Sequence, residues 1–214
     1  MPGKQFTGST KPYLSIVDGS LRQVVDKDTE GAKKREWGLP NGDSGVKWEL
    51  IYSEWESTLR EIKIETKDYG EGRKVSMALF VFDDVHVQMP TDSRYFSDFA
   101  CKLLACDLSK PIIIHPYDFE VDGKRKKGVS VVQGEDKIGN FFWKDGVLSP
   151  EFPQVDEDKK ERPNYWKTYF SEVEWFLVEK LQNLKFPEKP DSYTQGQDLV
   201  KDLKNHELGQ DLPF

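Results

Sequence analysis

Residues 59–81 contain two runs of alternating side chains on either side of a glycine-rich turn: Leu59-Arg60-Glu61-Ile62-Lys63-Ile64, then Asp68-Tyr69-Gly70-Glu71-Gly72, then Val75-Ser76-Met77-Ala78-Leu79-Phe80-Val81. Alternation of apolar and polar residues with period two is typical of strands that bury one face. The turn between the runs predicts an antiparallel hairpin. Similar alternation at 46–52 and 85–89 extends the pattern. The sequence therefore predicts a meander of antiparallel strands.

The first 45 residues add strands to this meander. Residues 13–25 alternate loosely around Asp18-Gly19-Ser20, which predicts an opening strand or hairpin. Residues 26–35 are charged, and residues 39–45 have the glycine, proline and asparagine of a loop. We therefore expect an exposed loop between the first two strands.

Helical spacing appears twice after the meander. Asp92 or Ser93 can cap a helix that continues to about Ala105 with one apolar face. Strands resume at 111–121 and 129–133, joined by a basic turn at 122–128. Residues 165–185 then have the spacing of an amphipathic helix, and residues 186–214 have the polar composition of a mobile tail.

This order of elements favours a mainly β fold of the OB type, a partly open Greek-key barrel with one inserted helix, a C-terminal amphipathic helix and a mobile tail. A β-sandwich or another antiparallel α+β arrangement produces the same alternation, so both remain alternatives. The predicted organisation is a domain over residues 1–185 and a flexible partner-binding tail over residues 186–214.

Composition restricts the class of protein. The 214 residues are 32% charged and 36% hydrophobic, with no segment that resembles a membrane span or a signal peptide, so we expect a cytoplasmic protein without membrane association. The net charge is −7, which argues against a generally basic surface. Residues 1–150 carry 22 basic and 24 acidic side chains, whereas residues 151–214 carry 9 and 14. A body that is nearly neutral can still present a basic groove.

Enzyme signatures are missing from the sequence. It contains no phosphate-binding loop, HExxH, GxSxG or paired CxxC motif. His86, His115 and His206 do not cluster, and Cys101 and Cys106 have no partner residues at metal-ligand spacing. We therefore expect a non-catalytic protein without metal or cofactor. An enzyme with a carboxylate site of unfamiliar pattern stays open as an alternative.

Basic residues interleaved with aromatics indicate binding of a single strand, because cations follow the phosphates while rings stack on unpaired bases. Core packing is the competing explanation for each aromatic side chain taken alone. The predicted DNA-binding residues are Lys33, Lys34, Arg35, Trp37, Tyr69, Arg73, Lys74, Lys124, Arg125, Lys126, Lys127 and Trp143.

The C-terminus has the most specific motif, Asp211-Leu212-Pro213-Phe214. A terminal Phe offers a ring for an apolar pocket and a carboxylate for a basic group, and Pro213 limits the conformational entropy lost on docking. These four residues are the predicted partner-binding site. They resemble the acidic tip, ending in Ile-Pro-Phe or Leu-Pro-Phe, of bacterial and phage single-stranded DNA-binding proteins.

The body resembles the same family more loosely over residues 11–145. The segments that carry the likeness are Lys110-Pro111-Ile112, Pro116-Tyr117-Asp118-Phe119, Gly128-Val129-Ser130-Val131-Val132-Gln133 and Lys137-Ile138, which are similar to the strand pair of phage-encoded OB-type members. The resemblance implies a protein that coats and protects single-stranded DNA in phage-type replication or recombination and recruits replication proteins through the tip. A replication accessory or virion protein that binds other proteins, with no affinity for DNA, is the alternative.

Overall fold

A computed structural model describes residues 11–38, 44–68 and 74–187. The strands of these residues are β1 (Tyr13–Val17), β2 (Ser20–Val25), β3 (Lys33–Gly38), β4 (Ser44–Tyr52), β5 (Trp55–Ser57), β6 (Leu59–Asp68), β7 (Lys74–Phe82), β8 (His86–Pro90), β9 (Ile112–Val121), β10 (Lys124–Gln133), β11 (Asp136–Ile138), β12 (Trp143–Lys144) and β13 (Val147–Leu148). The helices are α1 (Arg94–Leu103), between β8 and β9, and α2 (Tyr165–Gln182), after β13. The prediction of a mainly β protein with one helix among the strands and another after them is confirmed.

Seven strands form one open sheet in the order β3-β4-β2-β1-β8-β7-β6. β1 and β8 are parallel, and the other neighbours in this sheet are antiparallel. β1 and β2 form the predicted hairpin, because Asp18 (φ 47°) and Gly19 (φ 70°) adopt the left-handed backbone of a tight turn. β6, β7 and β8 are consecutive antiparallel neighbours, which confirms the predicted meander over these three strands. The prediction that residues 46–52 belong to the same meander is wrong, because β4 pairs with β2 and β3 and does not neighbour β6.

A second sheet has four antiparallel strands in the order β11-β10-β9-β5, and β12 and β13 form a separate two-stranded ribbon. Only Thr58 separates β5 from β6, so the chain passes directly from the second sheet into the first. The Thr58 carbonyl accepts a hydrogen bond from the Asp83 amide at 3.1 Å, just beyond the end of β7. One nearly continuous stretch of extended chain therefore belongs to both sheets.

The core lies between the sheets and the two helices. Phe80 of β7 and Phe99 of α1 are fully buried and meet edge to face with their centroids 4.8 Å apart. Burial of one such ring contributes about 1.5 to 3 kcal/mol. α1 begins as predicted, because the Ser93 hydroxyl accepts a hydrogen bond from the Phe96 amide. α2 covers the core with Val173, Leu177, Val178 and Leu181.

The amphipathic character predicted for α2 is only partly right. Trp166, Phe170 and Trp175 are 43, 60 and 73% exposed, so large rings also lie on the solvent side of the helix. The helix ends at Gln182 instead of continuing to residue 185. Exposed rings on a helix are available for contact with a partner.

The exposed loop predicted before residue 45 is partly wrong, because residues 33–38 form β3. This strand pairs with β4 over its whole length, with Arg35 opposite Lys47 and Trp37 opposite Gly45. The sequence does not indicate this strand because most of its residues are charged. Its pairing depends on cross-strand contacts that the local composition does not show.

The basic turn predicted at 122–128 is also wrong. Asp122 (φ 52°) and Gly123 (φ 70°) alone make the turn, and residues 124–127 belong to β10, where they pair with β9. The aspartate and glycine at these positions suffice for a two-residue hairpin. The four basic side chains therefore alternate along a strand.

Glu49 on β4 is a buried carboxylate, with 2% of its side chain exposed. Arg35 donates to it through Nε at 2.7 Å and Nη2 at 2.6 Å, and Arg22 donates through Nη1 at 3.2 Å. The hydrogen bonds from Arg35 hold the pKa of Glu49 below its usual value, although burial acts in the opposite direction. One carboxylate thus connects β2, β3 and β4.

Replacement of Glu49 by Gln is expected to lower the free energy of unfolding by about 3 kcal/mol, because the partly buried Arg35 loses its counter-ion and Arg22 keeps only Asp18, at 3.4 Å. The measurement is urea denaturation near neutral pH. Since the pKa of Glu49 is lower in the folded protein, its contribution is complete above the usual pKa and disappears as the pH falls through the folded value. The difference from wild type should therefore shrink in acid.

Glu36→Gln is the matched control for this prediction. Glu36 is an exposed carboxylate of β3 that pairs with exposed Lys34, so its replacement should leave the denaturation midpoint unchanged. Equal destabilisation by the two replacements would contradict a special role of the buried group.

Candidate nucleic-acid interface

The predicted residues of β3 divide between its two faces. Side chains alternate along a strand, so Lys33, Arg35 and Trp37 lie on one face and Lys34 lies on the other, where it bonds Glu36 at 2.8 Å. Arg35 is held by Glu49. The charge of this group is therefore partly satisfied within the protein.

Trp37 is engaged by the sheet itself. Its ring lies over Gly45, where an added Cβ would come within 2.9 Å of the indole, and Lys47 Nζ lies 5.6 Å from the ring centroid. A cation near the face of an indole is attracted by the ring quadrupole. The contacts with β4 account for Trp37 without a ligand.

Two of the four predicted basic residues of β10 have internal partners. Arg125 donates to Asp118 through Nε at 2.6 Å and Nη2 at 2.7 Å, and these bonds hold the pKa of Asp118 below its usual value. Lys127 Nζ lies 4.5 Å from the centroid of the Tyr95 ring. Tyr95 donates to Asp118 in turn at 3.3 Å. This group connects the hairpin to α1.

Lys124 and Lys126 project from the other face of β10 and are exposed. Lys126 lies opposite Phe119 and Lys124 opposite Val121, so each ammonium group has an apolar neighbour on the same face. Phe119 is 48% exposed, and its ring centroid lies 5.6 Å from that of Tyr117. Exposed rings and cations thus alternate across the hairpin.

A cavity of about 520 Å³ opens beside this hairpin. The hairpin contributes Tyr117 and Lys127, α1 contributes Arg94, and α2 contributes Tyr169 and Phe170. Cavities of this size are typical of small-ligand sites. The site therefore lies where three separate elements meet.

Aromatic rings lie on the hairpin and on α2, the two elements that each contribute at least one ring to this cavity. Phe119 contacts Tyr117, Tyr117 and Phe170 line the same cavity, and Phe170 contacts Trp166 with centroids 6.0 Å apart. We name this surface the hairpin–helix cleft and define it by Trp166, Phe170, Arg94, Lys127, Tyr117 and Phe119, with Lys124 and Lys126 at its outer end.

The cleft contains both cations without a carboxylate partner and carboxylates that are already engaged. Within residues 11–38, 44–68 and 74–187, no carboxylate pairs with Arg94, Lys124 or Lys126, so these cations can meet phosphates without first breaking an ion pair. Carboxylates are also present: Asp98 is neutralised by Lys102 at 2.7 Å, and Glu174 accepts the hydroxyl of Thr91. Of the unpaired cations, Arg94 therefore lines a cavity that also contains acceptors, whereas Lys124 and Lys126 lie farther along the hairpin.

The other predicted residues lie away from the cleft or outside the described residues. Trp143, in β12, is 54% exposed but does not line the cavity. Lys74 begins β7, and its side chain is not among those described. Tyr69, Arg73 and the tip residues Asp211, Leu212, Pro213 and Phe214 lie outside the described ranges.

Sequence reasoning missed Phe119, Phe170, Trp166 and Arg94 as members of one site. Phe119 could have been found by treating Asp122-Gly123 as a two-residue turn, because that register places it opposite Lys126. Nothing in the sequence indicates that α2 lies beside the hairpin, which is a tertiary arrangement.

The described part of the chain also bears on three other kinds of feature: a metal site, a reactive thiol and a membrane-spanning helix. It contains no group of three or more His, Cys, Asp or Glu side chains that could hold a metal ion. Burial raises the pKa of Cys101 to about 12 and of Cys106 to about 11, so both thiols stay protonated near neutral pH. Neither described helix is long and apolar enough to cross a membrane.

The hairpin–helix cleft is therefore the candidate site that the described residues form. In comparisons with family models, curated proteins and solved structures, nothing matches this chain.

Proposed function

We propose that this protein is a non-catalytic single-stranded DNA-binding protein that holds the strand in the hairpin–helix cleft. The observation that carries the proposal is the pair of exposed ring groups, Phe119 on the hairpin and Phe170 with Trp166 on α2, beside cations that no carboxylate of the described residues neutralises. In this role the protein coats and protects single strands in phage-type replication or recombination. It recruits replication proteins through the C-terminal tip, Asp211 to Phe214.

Stacking supplies the contact with the bases. Phe119 and Phe170 each expose about half or more of their surface, at 48 and 60%. A base stacked on such a ring contributes about 1 to 3 kcal/mol without regard to sequence, because every base has a π-face. Two or three such platforms along the cleft are enough for a binding site that tolerates any sequence.

Phosphate contacts supply the rest of the binding free energy. Lys126 lies opposite Phe119 and Lys124 opposite Val121 on the hairpin, and Arg94 lines the cavity together with Tyr117 and Phe170. Cations that neutralise phosphates release condensed counter-ions, so binding weakens as salt rises. Arg125 and Lys127 are assigned a positioning role, because Asp118 and Tyr95 already engage them.

We also infer an OB-type arrangement for β5 to β10. The stretch β5–β6 is shared between the sheets, β6, β7 and β8 form a meander, α1 follows, and β9 and β10 form the closing hairpin. OB folds bind ligands over their second and third strands and through the loops after the first and fourth strands. In this assignment the first of these loop positions falls where the chain connects β6 to β7, outside the described residues, and the second is the β9–β10 turn of the cleft's hairpin.

Binding to oligo-dT is expected to quench tryptophan fluorescence through Trp166, and added salt should reverse the quenching. Lys124→Ala combined with Lys126→Ala should make the slope of log affinity against log salt shallower by about 1.4, since each lost phosphate contact accounts for about 0.7. Thermal stability should not change, because neither side chain has an ion pair among the described residues.

The same double replacement at Lys33 and Lys34 is the matched comparison on the β3 surface. If the strand lies in the cleft, this pair should leave the salt slope unchanged. Affinity that does not depend on salt would favour the alternative, a replication accessory or virion protein without DNA affinity.

Phe119→Ala and Phe170→Ala are each expected to weaken binding of oligo-dT by about 1 to 3 kcal/mol, because each removes one stacking platform. Titration by fluorescence anisotropy, with a labelled strand, measures the loss. Trp175→Ala is the control: this ring is on the same helix and more exposed, at 73%, but does not line the cavity. Equal losses for Phe170 and Trp175 would contradict a site in the cleft.

Removal of residues 209–214 is expected to preserve or slightly raise affinity for DNA while abolishing capture of replication proteins. The acidic tip competes weakly with DNA for basic groups at low salt, so its loss cannot weaken the contact with the strand. Phe214→Ala alone should lose most of the partner binding, since one aromatic anchor often dominates a small interface. A truncation that loses DNA and keeps the partners would reverse the assigned roles.

A further inference from the structure

The inner part of the cavity is apolar, whereas other parts of its lining carry charged and polar side chains. Cys101 and Val173, at its floor, are 5 and 8% exposed, and Phe152 packs beside them against Phe142 and Phe176. The thiol of Cys101 is protonated near neutral pH, so this floor is apolar and uncharged. A planar group can be buried there with little loss of hydration.

The walls of the cavity carry hydrogen-bond acceptors. Glu174 of α2 is partly buried, and the hydroxyl of Thr91 donates to its Oε1, which fixes the carboxylate beside the cavity. Asp98 of α1 also lines the cavity, and its Oδ2 already accepts from Lys102 and from the Val129 amide. An ionised carboxylate can only accept hydrogen bonds. A group that meets the Glu174 carboxylate must therefore donate. Elsewhere in the lining, Arg94, Lys127 and Asn140 can donate to an acceptor.

Nucleobases differ in this property. Cytosine, adenine and guanine carry an exocyclic amino group that donates, whereas the ring donor of thymine and uracil, N3–H, lies between two carbonyl oxygens. A carboxylate that approaches this N3–H also meets a carbonyl oxygen, so two acceptors come together and the contact is weaker than one with an amino group. The aromatic rim made by Tyr169 and Phe170 fits either base, so the rings do not discriminate.

We propose that the cavity takes one nucleobase of the bound strand and that Glu174 selects a base with an exocyclic amino group. The inference rests on the proposed binding of single-stranded DNA and adds a preference at one position of the strand. Elsewhere in the cleft, stacking and phosphate contacts tolerate any sequence. Because the protein can bind in any register, one suitable base within a strand is enough to occupy the cavity.

The test compares two strands that differ only in the group to be recognised. Each is an oligo-dT of about 15 nucleotides, within the range of one binding site, with a single central deoxycytidine or a single central deoxyuridine. Neither central base has the methyl group of thymine. The full chain should bind the deoxycytidine strand about tenfold more tightly, the effect of one hydrogen bond to a charged group.

Glu174→Gln should remove this difference, because the amide offers a donor as well as an acceptor and retains the shape of the side chain. Glu179→Gln, an exposed carboxylate on the same helix that does not line the cavity, should keep it. Thermal unfolding of each variant shows whether it is folded, and the comparison of strands on the unaltered protein needs no variant.

The outcomes separate this inference from the function on which it rests. Tight binding of both strands with equal affinity would overturn the base preference and leave the proposed function intact. A tenfold preference that persists in Glu174→Gln would overturn the role of the cavity. Failure of the unaltered protein to bind either strand would overturn both proposals.

Discussion

A single carboxylate oxygen, Oδ2 of Asp98, holds the hairpin against the first helix. It accepts hydrogen bonds from the Val129 amide and from Lys102 Nζ, both at 2.7 Å, and the same ammonium group donates to the Val129 carbonyl at 2.6 Å. A Cβ on residue 128 would overlap this oxygen, so the contact requires Gly128. Arg94 lies one turn before Asp98 on α1, and both side chains line the cavity. The relative position of the cleft's walls therefore depends on this junction.

The sequence predicts the elements better than their assembly. Period-two alternation and local turn residues are sufficient for the β1–β2 hairpin, the meander and the capped helix α1, because these depend on neighbours along the chain. β3 was missed because its stability depends on Glu49, Arg35 and the packing of Trp37 over Gly45, all of which join different strands. The sequence predicts only part of the site, because it shows local composition but not which elements pack together. It therefore indicates Lys124 and Lys126 but not that Phe170 and Tyr117 line the same cavity.

An acidic protein can present a basic surface when its acids are paired internally. Asp118 is engaged by Arg125, and Glu49 by Arg22 and Arg35, so these carboxylates project little charge toward a ligand. Lys124, Lys126 and Arg94 have no such partner among the described residues. Net charge is therefore a poor guide to the local field that a phosphate meets. The pairing pattern, which depends on strand register, determines which cations are available.

The geometry of the cleft also bears on which nucleic acid it suits. The ring faces of Phe119 and Phe170 can contact a base only through its π-face, and in a duplex those faces are covered by neighbouring base pairs. A duplex exposes only base edges and phosphates, so it would gain the contacts with Lys124 and Lys126 but none of the stacking. In the proposed function, the cavity that Phe170 lines would strengthen this selection, because a base can enter it only after leaving its own stack. Phosphate attraction would act on both forms of DNA, so the aromatic rings are the part of the proposed site that would favour the single strand.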